Sequence, residues 1–242
     1  MRLAYYGDAV DNVSPPVNRS TAACWRIVCL ASLSLFLGLG FAVYATGVLP
    51  GDVFLRRELL VSDAGLVHEL ARWVNYGGRA QVLVPGALLL FFLSPVARRH
   101  WWLWCSVLVG SSLIQHAVKF LVGRSRPSGS SLGFPSGHAT AATTFAVVLI
   151  YIASRERLGR VQRFAIEALA VCLMLAVGWA RIMRHAHWPS DVLGGFLLGM
   201  CCAAAAAWWE TSQSEAGAPD ESPVRPLATR ARLGGDASPP SL

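Results

Sequence analysis

The chain has 242 residues, 54% of them hydrophobic and only 14% charged, with a formal net charge of +7. Soluble domains carry about a quarter charged residues, so this composition excludes an ordinary soluble globular protein. Positive charge in so apolar a chain is read as basic residues in cytoplasmic loops, and no nucleic-acid partner is expected.

A hydrocarbon core about 30 Å thick needs roughly 20 apolar residues per helical span. On that measure the sequence predicts an all-α, polytopic bundle of six spans. Residues 1–23 are mixed polar and read as a cytoplasmic tail rather than a cleavable signal. The sequons at Asn12 and Asn18 are coincidental on that side. Span one follows over 24–47.

Segment 48–80 faces the opposite side. Within it, "SDAGLVHELARWVNYGG" predicts an amphipathic helix lying on the bilayer surface. Ser62 caps it, Leu66, Leu70 and Val74 share a face, and Trp73 and Tyr76 suit the interface.

Span two is placed at 82–97, weakened by its length and by Pro85. Spans three to six are placed at 101–122, 137–154, 164–183 and 191–209. Gly195 and Gly199 in span six form a GxxxG pattern, read as close helix packing. The six cysteines lie in or beside apolar runs without CxxC spacing and read as packing residues. Residues 210–242, rich in Pro, Ser, Gly and Ala, predict a disordered cytoplasmic tail. The membrane domain is then 24–209.

Sidedness follows from the arginines. Arg19 and Arg26, Arg98 and Arg99, and Arg155, Arg157, Arg160 and Arg163 all fall on one side of a six-span chain. Positive residues mark the cytoplasm, so both termini are expected there.

Three polar clusters fall on the other side, where charge near membrane depth marks function. The first is "KFLVGRSRP", 119–127. Lys119, the one lysine of the chain, sits on the last turns of span three, followed by Arg124 and Arg126. Arg124 is equally well read as reaching for lipid headgroups. The second is "FPSGH", 134–138. Ser136 is a natural N-cap, Gly137 permits close backbone approach, and His138 falls in a first turn whose free N–H groups bind anions. Alone, it could be a cap with an incidental histidine.

The third is "RIMRHAHWPSD", 181–191. Arg181 ends span five, and Asp191 lies in the first turn of span six, where a carboxylate suits the helix dipole. His187 precedes Asp191 by four residues, so Asp191 can accept a hydrogen bond from one imidazole nitrogen and leave the other free to attack. Together the clusters describe a phosphate site, with one histidine as nucleophile and the other as acid.

Lys119-x6-Arg126-Pro127, Pro135-Ser136-Gly137-His138 and Arg181-x5-His187-x3-Asp191 resemble the three signature motifs of the type 2 phosphatidic acid phosphatase (PAP2) superfamily, whose relatives include soluble vanadium haloperoxidases and acid phosphatases. The resemblance covers spans three to six. It implies a six-span helical bundle and dephosphorylation of a lipid phosphate without metal or cofactor. It also implies that His187 forms a phosphohistidine while Asp191 orients it. His138 would protonate the leaving oxygen, and Lys119, Arg126, Ser136, the Gly137 amide and Arg181 would hold the phosphate. Where the family has Ser before the third-motif Arg, this chain has Ala180, so a phosphate-binding hydroxyl is expected to be missing.

The expected activity is therefore removal of a terminal phosphate from a lipid at the outer leaflet. Candidate substrates are undecaprenyl diphosphate, phosphatidylglycerol phosphate, phosphatidic acid and a lipid A phosphate. An Arg-biased composition and short tails suggest a bacterial inner (cytoplasmic) membrane. Three alternatives share the sequence features. A lipid phosphotransferase would use the same histidine chemistry. A metal-dependent hydrolase could use His185, His187 and Asp191 as an HxH-type site, although this explains neither Lys119 nor the Pro135–His138 turn. A transporter would use the charges for a solute path. His116, on the face of Lys119, reads as packing or as support. Oligomeric state is open.

Overall fold

A computed structural model describes residues 19–60, 65–129 and 132–216. The helices are α1 (Arg19–Thr46), α2 (Pro50–Leu60), α3 (Gly65–Val74), α4 (Ala80–Leu93), α5 (Pro95–Arg99), α6 (Trp101–Val122), α7 (Gly137–Arg155), α8 (Arg160–Met183) and α9 (Pro189–Ala216). A 3₁₀ turn, Asn75–Gly78, joins α3 to α4. Among the described residues the only β-pairing is one isolated bridge, Ser125 to Leu132. Five helices are long and apolar enough to cross a membrane, and six spans result if the bent pair α3–α4 counts as one. The chain is a multi-pass membrane protein with the expected helical architecture.

The bundle is organised around α7, which lies between α8 and α9, while α1 runs along α9. Small residues make these contacts possible. A Cβ on Gly195 would sit 2.7 Å from the Ser136 carbonyl, and one on Gly199 would sit 2.6 Å from that of Thr140. The GxxxG pattern therefore brings α9 against the α7 backbone. In α7, Thr140 and Thr144 return their hydroxyls to the carbonyls of Ser136 and Thr140, at 3.0 and 2.9 Å, so these polar side chains are satisfied inside the bundle. The outward faces of α1, α4, α6 and α8 carry large apolar side chains such as Phe41, Phe92, Phe120 and Phe164, as contact with lipid tails requires.

Several boundaries differ from the sequence reading. Span two is not one helix over 82–97. α4 has 14 residues and contains Pro85, so by itself it reaches only about 21 Å. It stops at Ser94, which is extended and accepts a hydrogen bond from Ala97 N at 3.0 Å before α5 begins. Pro95 explains the break, because a proline pushes the preceding residue out of the helical region. α4 meets the α3 segment at an angle of 49°.

The amphipathic helix is present as α3, but a different face packs. Val67, Ala71 and Val74 join Ala180 and Met183 of α8, whereas Leu66, Leu70 and Trp73 are exposed. The expected cap Ser62 lies outside the described residues. α9 continues to Ala216, so 210–216 is helical rather than part of a disordered tail; the rest of that tail and residues 1–18 also lie outside. α1 begins at Arg19, five residues before the expected start. The helix α2 is absent from the sequence reading altogether.

At the end of the bundle away from the polar clusters, Glu210 of α9 accepts from the Tyr151 hydroxyl and lies 3.5 Å from His100. Glu156 accepts from the Ser94 hydroxyl and from Val96 N.

The α7–α9 contact can be tested against a neutral control. Gly38 of α1 has open space where a Cβ would stand, so Gly38→Ala is expected to be neutral or slightly stabilising in detergent melts. Gly199→Ala must push backbone aside, and a loss of about 1–3 kcal/mol is expected.

Candidate active site

The C-terminal ends of α6 and α8 and the N-terminal ends of α7 and α9 meet at one end of the bundle. α6 closes on Gly123, whose positive φ of 66° suits glycine and whose N–H returns to the Lys119 carbonyl at 3.0 Å. The following loop folds back on itself, with Gly133 N donating to Arg124 O at 2.6 Å. Lys119 and Arg126 hold it from one side. Lys119 Nζ donates to the carbonyls of Leu132 and Gly133 at 3.3 and 3.0 Å, and Arg126 Nε donates to Leu132 at 3.1 Å.

Phe134 anchors the end of this loop in the bundle. It is fully buried and stacks on Phe36 with ring centroids 5.8 Å apart. A Cβ on Gly194 would meet its ring at 2.4 Å, so α9 can accept the ring only with glycine there. The chain then enters α7 through Ser136, whose N–H donates to the Asp191 carbonyl at 2.8 Å. Ser136 occupies the N-cap position, but its hydroxyl makes no capping bond and is buried without a partner. His138 Nε2 is likewise buried and unpartnered.

Between α8 and α9 the chain turns through residues 184–188. His185 adopts a positive φ of 52°, a strained region for a residue with a Cβ, and Ala186 N closes the turn on Arg181 O at 3.1 Å. The turn places His187 back over the cavity. His187 and Asp191 are both essentially inaccessible, with His187 Nδ1 3.3 Å from Asp191 Oδ2. The carboxylate accepts the Nδ1 proton, which leaves Nε2 as the nitrogen with a lone pair. Burial pushes the His187 pKa down to about 4; the Asp191 hydrogen bond opposes that shift, and nearby Arg181 and Lys119 reinforce it. The imidazole is therefore neutral at neutral pH.

A cavity of about 320 Å³ lies at this junction. Lys119, Arg126, Gly137, His138, Arg181 and His187 all line it. Six of the eight residues singled out in the sequence thus converge on one space. The other two, Ser136 and Asp191, are buried and bonded to each other through the backbone. Arg181 Nη1 donates to Asn75 Oδ1 at 2.6 Å, and its Nε is buried without a partner. His116 also borders the cavity and pairs with the Ser112 carbonyl at 2.7 Å.

Three supporting residues, Gln115, Asn75 and Asp52, escape the sequence reading, which leaves the role of a fourth, Arg124, open. Gln115, buried on α6, lies so close to Gly137 that a Cβ there would meet its Oε1 at 2.5 Å; its position one helical turn before Lys119 is the signal that could have found it. Asn75, on the 3₁₀ turn, has no such signal. Arg124 does not reach for headgroups. It is buried and donates to Asp191 Oδ1 at 2.8 Å and Ser190 Oγ at 2.6 Å, while its other terminal nitrogen pairs with Asp52 of α2. Asp52 in turn accepts from Ser190 N and Oγ, both at 2.8 Å.

Ala180 and the HxH pair lie as follows. Ala180 is fully buried and packs with Ala71 and Met183; it does not itself line the cavity, although Arg181 beside it does. The HxH pair is split: His185 Nδ1 lies 2.6 Å from Arg56 Nη2 of α2, while His187 pairs with Asp191.

Comparison with known proteins points to one family. A family model described as the PAP2 superfamily matches residues 128–215. Phosphatidylglycerophosphatase B of Bacillus subtilis is 25% identical over 68% of this chain and 86% of its own. Decaprenylphosphoryl-5-phosphoribose phosphatase of Mycobacterium tuberculosis is 32% identical over 59% of this chain and 80% of its own. Among solved structures, the transmembrane PAP2-type phosphatidylglycerolphosphate phosphatase from Bacillus subtilis superposes with a TM-score of 0.68 at 22% identity, covering 77% of this chain and 97% of that one. With the three motifs assembled around one cavity and these relatives extending over most of their length, the chain belongs to the PAP2 superfamily.

Proposed function

We propose that this protein is a membrane lipid phosphatase that removes a terminal phosphate through a phosphohistidine. The observation that carries this reading is the convergence of Lys119, Arg126, His138, Arg181 and His187 on one cavity, with His187 held from behind by Asp191. Three cations and the amides at the start of α7 suit a phosphate. His187 Nε2 attacks phosphorus, an N–P bond forms and the P–O bond to the lipid breaks. The leaving oxygen takes the proton of His138. Water then attacks the phosphohistidine and gives a proton to His138, and inorganic phosphate and neutral His187 are regenerated. The fixed donors act by stabilising charge as it develops in the transition state.

An apolar groove explains how a lipid is presented. Leu83, Ala87 and Leu88 of α4 face Leu108 and Val109 of α6 across about 450 Å³, floored by Ala141 of α7. Ser112 lines both this groove and the catalytic cavity. A chain lying between α4 and α6 would bring its headgroup to the polar end. Phosphatidylglycerol phosphate and undecaprenyl diphosphate fit this arrangement, each placing a terminal phosphate beside long apolar chains. Arg98, Arg99, Arg155, Arg157, Arg160 and Arg163 lie at the opposite end of the bundle. With the positive-inside rule this supports termini in the cytoplasm and a site on the periplasmic face of a bacterial inner membrane.

The direct test is phosphate release from a lipid panel by purified protein in EDTA. Turnover with no acceptor lipid is expected for the wild type, together with an acid-labile phosphoenzyme on rapid quench. His187→Ala should abolish both, and Lys119→Met or Arg181→Met should each lower kcat by about 10²–10³. Loss of wild-type activity in chelator, or phosphoenzyme in His187→Ala, overturns the reading.

The pH dependence has a defined sign. Protonated His187 cannot attack, so kcat/KM falls as pH drops through the His187 pKa. Because that value is depressed to about 4, the acid limb should lie well below the ordinary histidine range near 6.5. The measurement is kcat/KM of the free enzyme from pH 3.5 to 9; an acid limb centred near 6.5 contradicts it.

The Asp52–Arg124–Asp191 arrangement predicts coupling. Arg124→Ala leaves two buried carboxylates unpaired, and breaking such a pair costs about 3–5 kcal/mol. Asp52→Ala should also lower kcat and thermal stability. In a double-mutant cycle the combined variant should be less impaired than the sum of the two singles; additive losses would show that the residues act independently.

A further inference from the structure

A second pocket, of about 400 Å³, lies between α2 and the turn that carries His187, lined by Val53, Arg56, Arg57, Leu60 and Trp188. It shares no lining residue with the catalytic cavity. Arg56 is held there in an unusual way. Its guanidinium lies 5.5 Å from the centre of the Trp188 ring, and Nη2 is engaged with the ring nitrogen of His185. Its Nε is buried without a partner. Asp52, the nearby buried carboxylate, is committed to Arg124 and Ser190. Among the described residues no carboxylate forms an ion pair with Arg56 or Arg57.

With Nη2 engaged by His185 and Nε buried, Arg56 has Nη1 left to offer the pocket, and beside it the exposed Arg57 adds a second guanidinium suited to the oxygens of a phosphate. The level in the membrane agrees. α2 exposes Val53, Phe54 and Leu55 at 57%, 64% and 49%, which suits a helix immersed at the headgroup boundary.

We infer that the pocket between α2 and Trp188 binds a second lipid-headgroup phosphate, separate from the one that is cleaved. The inference rests on the lipid-phosphatase reading for what is turned over but not for the binding itself. The phosphate has two sources, a second phosphate on the substrate or the diester of a neighbouring anionic phospholipid. In either case it sits one residue from the nucleophile, across the 185–188 turn, and sets which lipids are handled well.

The test compares wild type with Arg56→Gln/Arg57→Gln and with Arg57→Gln alone, the latter at an exposed position where folding is not at risk. Turnover is measured in phosphatidylcholine vesicles on a lipid with one phosphate and on a lipid with two separated phosphates, then with phosphatidylglycerol added. If the substrate supplies the second phosphate, the double variant loses at least about fivefold in kcat/KM on the bis-phosphate lipid and little on the mono-phosphate lipid. If a neighbour supplies it, phosphatidylglycerol stimulates the wild type on the mono-phosphate lipid and fails to stimulate the variant. Arg57→Gln should show a smaller loss of the same kind.

Binding is read separately from turnover in a His187→Ala background. Short-chain phosphatidylglycerol titrated in neutral detergent should raise the melting temperature, and adding Arg56→Gln/Arg57→Gln should shift the half-maximal concentration upward at least about fivefold. That arm survives even if no lipid is hydrolysed, so failure of the phosphatase reading remains distinguishable. Identical melting shifts with and without the two arginines, together with unchanged lipid preference, overturn the inference.

Discussion

The candidate active site depends on one buried guanidinium. Arg124 lies between Asp52 of α2 and Asp191 of α9, and Ser190 is bonded to both Arg124 and Asp52. Two carboxylates this far from water are unstable unless a cation stands between them. Without it, the carboxylate that orients His187 would face a second negative charge and lose its fixed position. Because Asp191 Oδ1 is committed to Arg124, only Oδ2 is left for His187 Nδ1 and Trp188 N. The orientation of His187, the proposed nucleophile, is thus set by a residue that does not line the cavity.

The same arrangement joins separate parts of the chain. The Asp191 side chain serves the third motif while its backbone carbonyl accepts from Ser136 N of the second. Lys119 and Arg126 of the first motif hold the carbonyls of Leu132 and Gly133 that lead into the second. Phe134, set between Phe36 and Gly194, fixes that loop to the bundle. Helix ends therefore carry the proposed reacting groups, which favours a site organised before substrate arrives.

Much of this is legible in the sequence because charge inside an apolar chain stands out. Lys119, Arg126, His138, Arg181 and His187 announce themselves by lying at the ends of apolar runs, and their order matches a known pattern. The helices α6 to α9 follow from apolar length. What is not legible depends on contacts between distant residues. Asp52 and Arg124 are 72 positions apart, and Asn75 and Arg181 are 106 apart. Periodicity carries no information about such pairs. α2 is hidden because its 11 residues mix Arg, Glu and Leu without a run long enough to read as a span. The packing face of α3 is misread because Leu is the more apolar residue, yet the close approach of α8 selects the smaller Ala71 and Val67.

The bend between α3 and α4 bears directly on His138. A side chain on Gly78 would press on the His138 Cβ at 2.9 Å and on its carbonyl at 3.1 Å, so nothing compressible separates the two. Glycine at position 78 thus lets the α3–α4 bend lie directly against the first turn of α7, and a larger residue there would have to displace His138 or Val177 of α8.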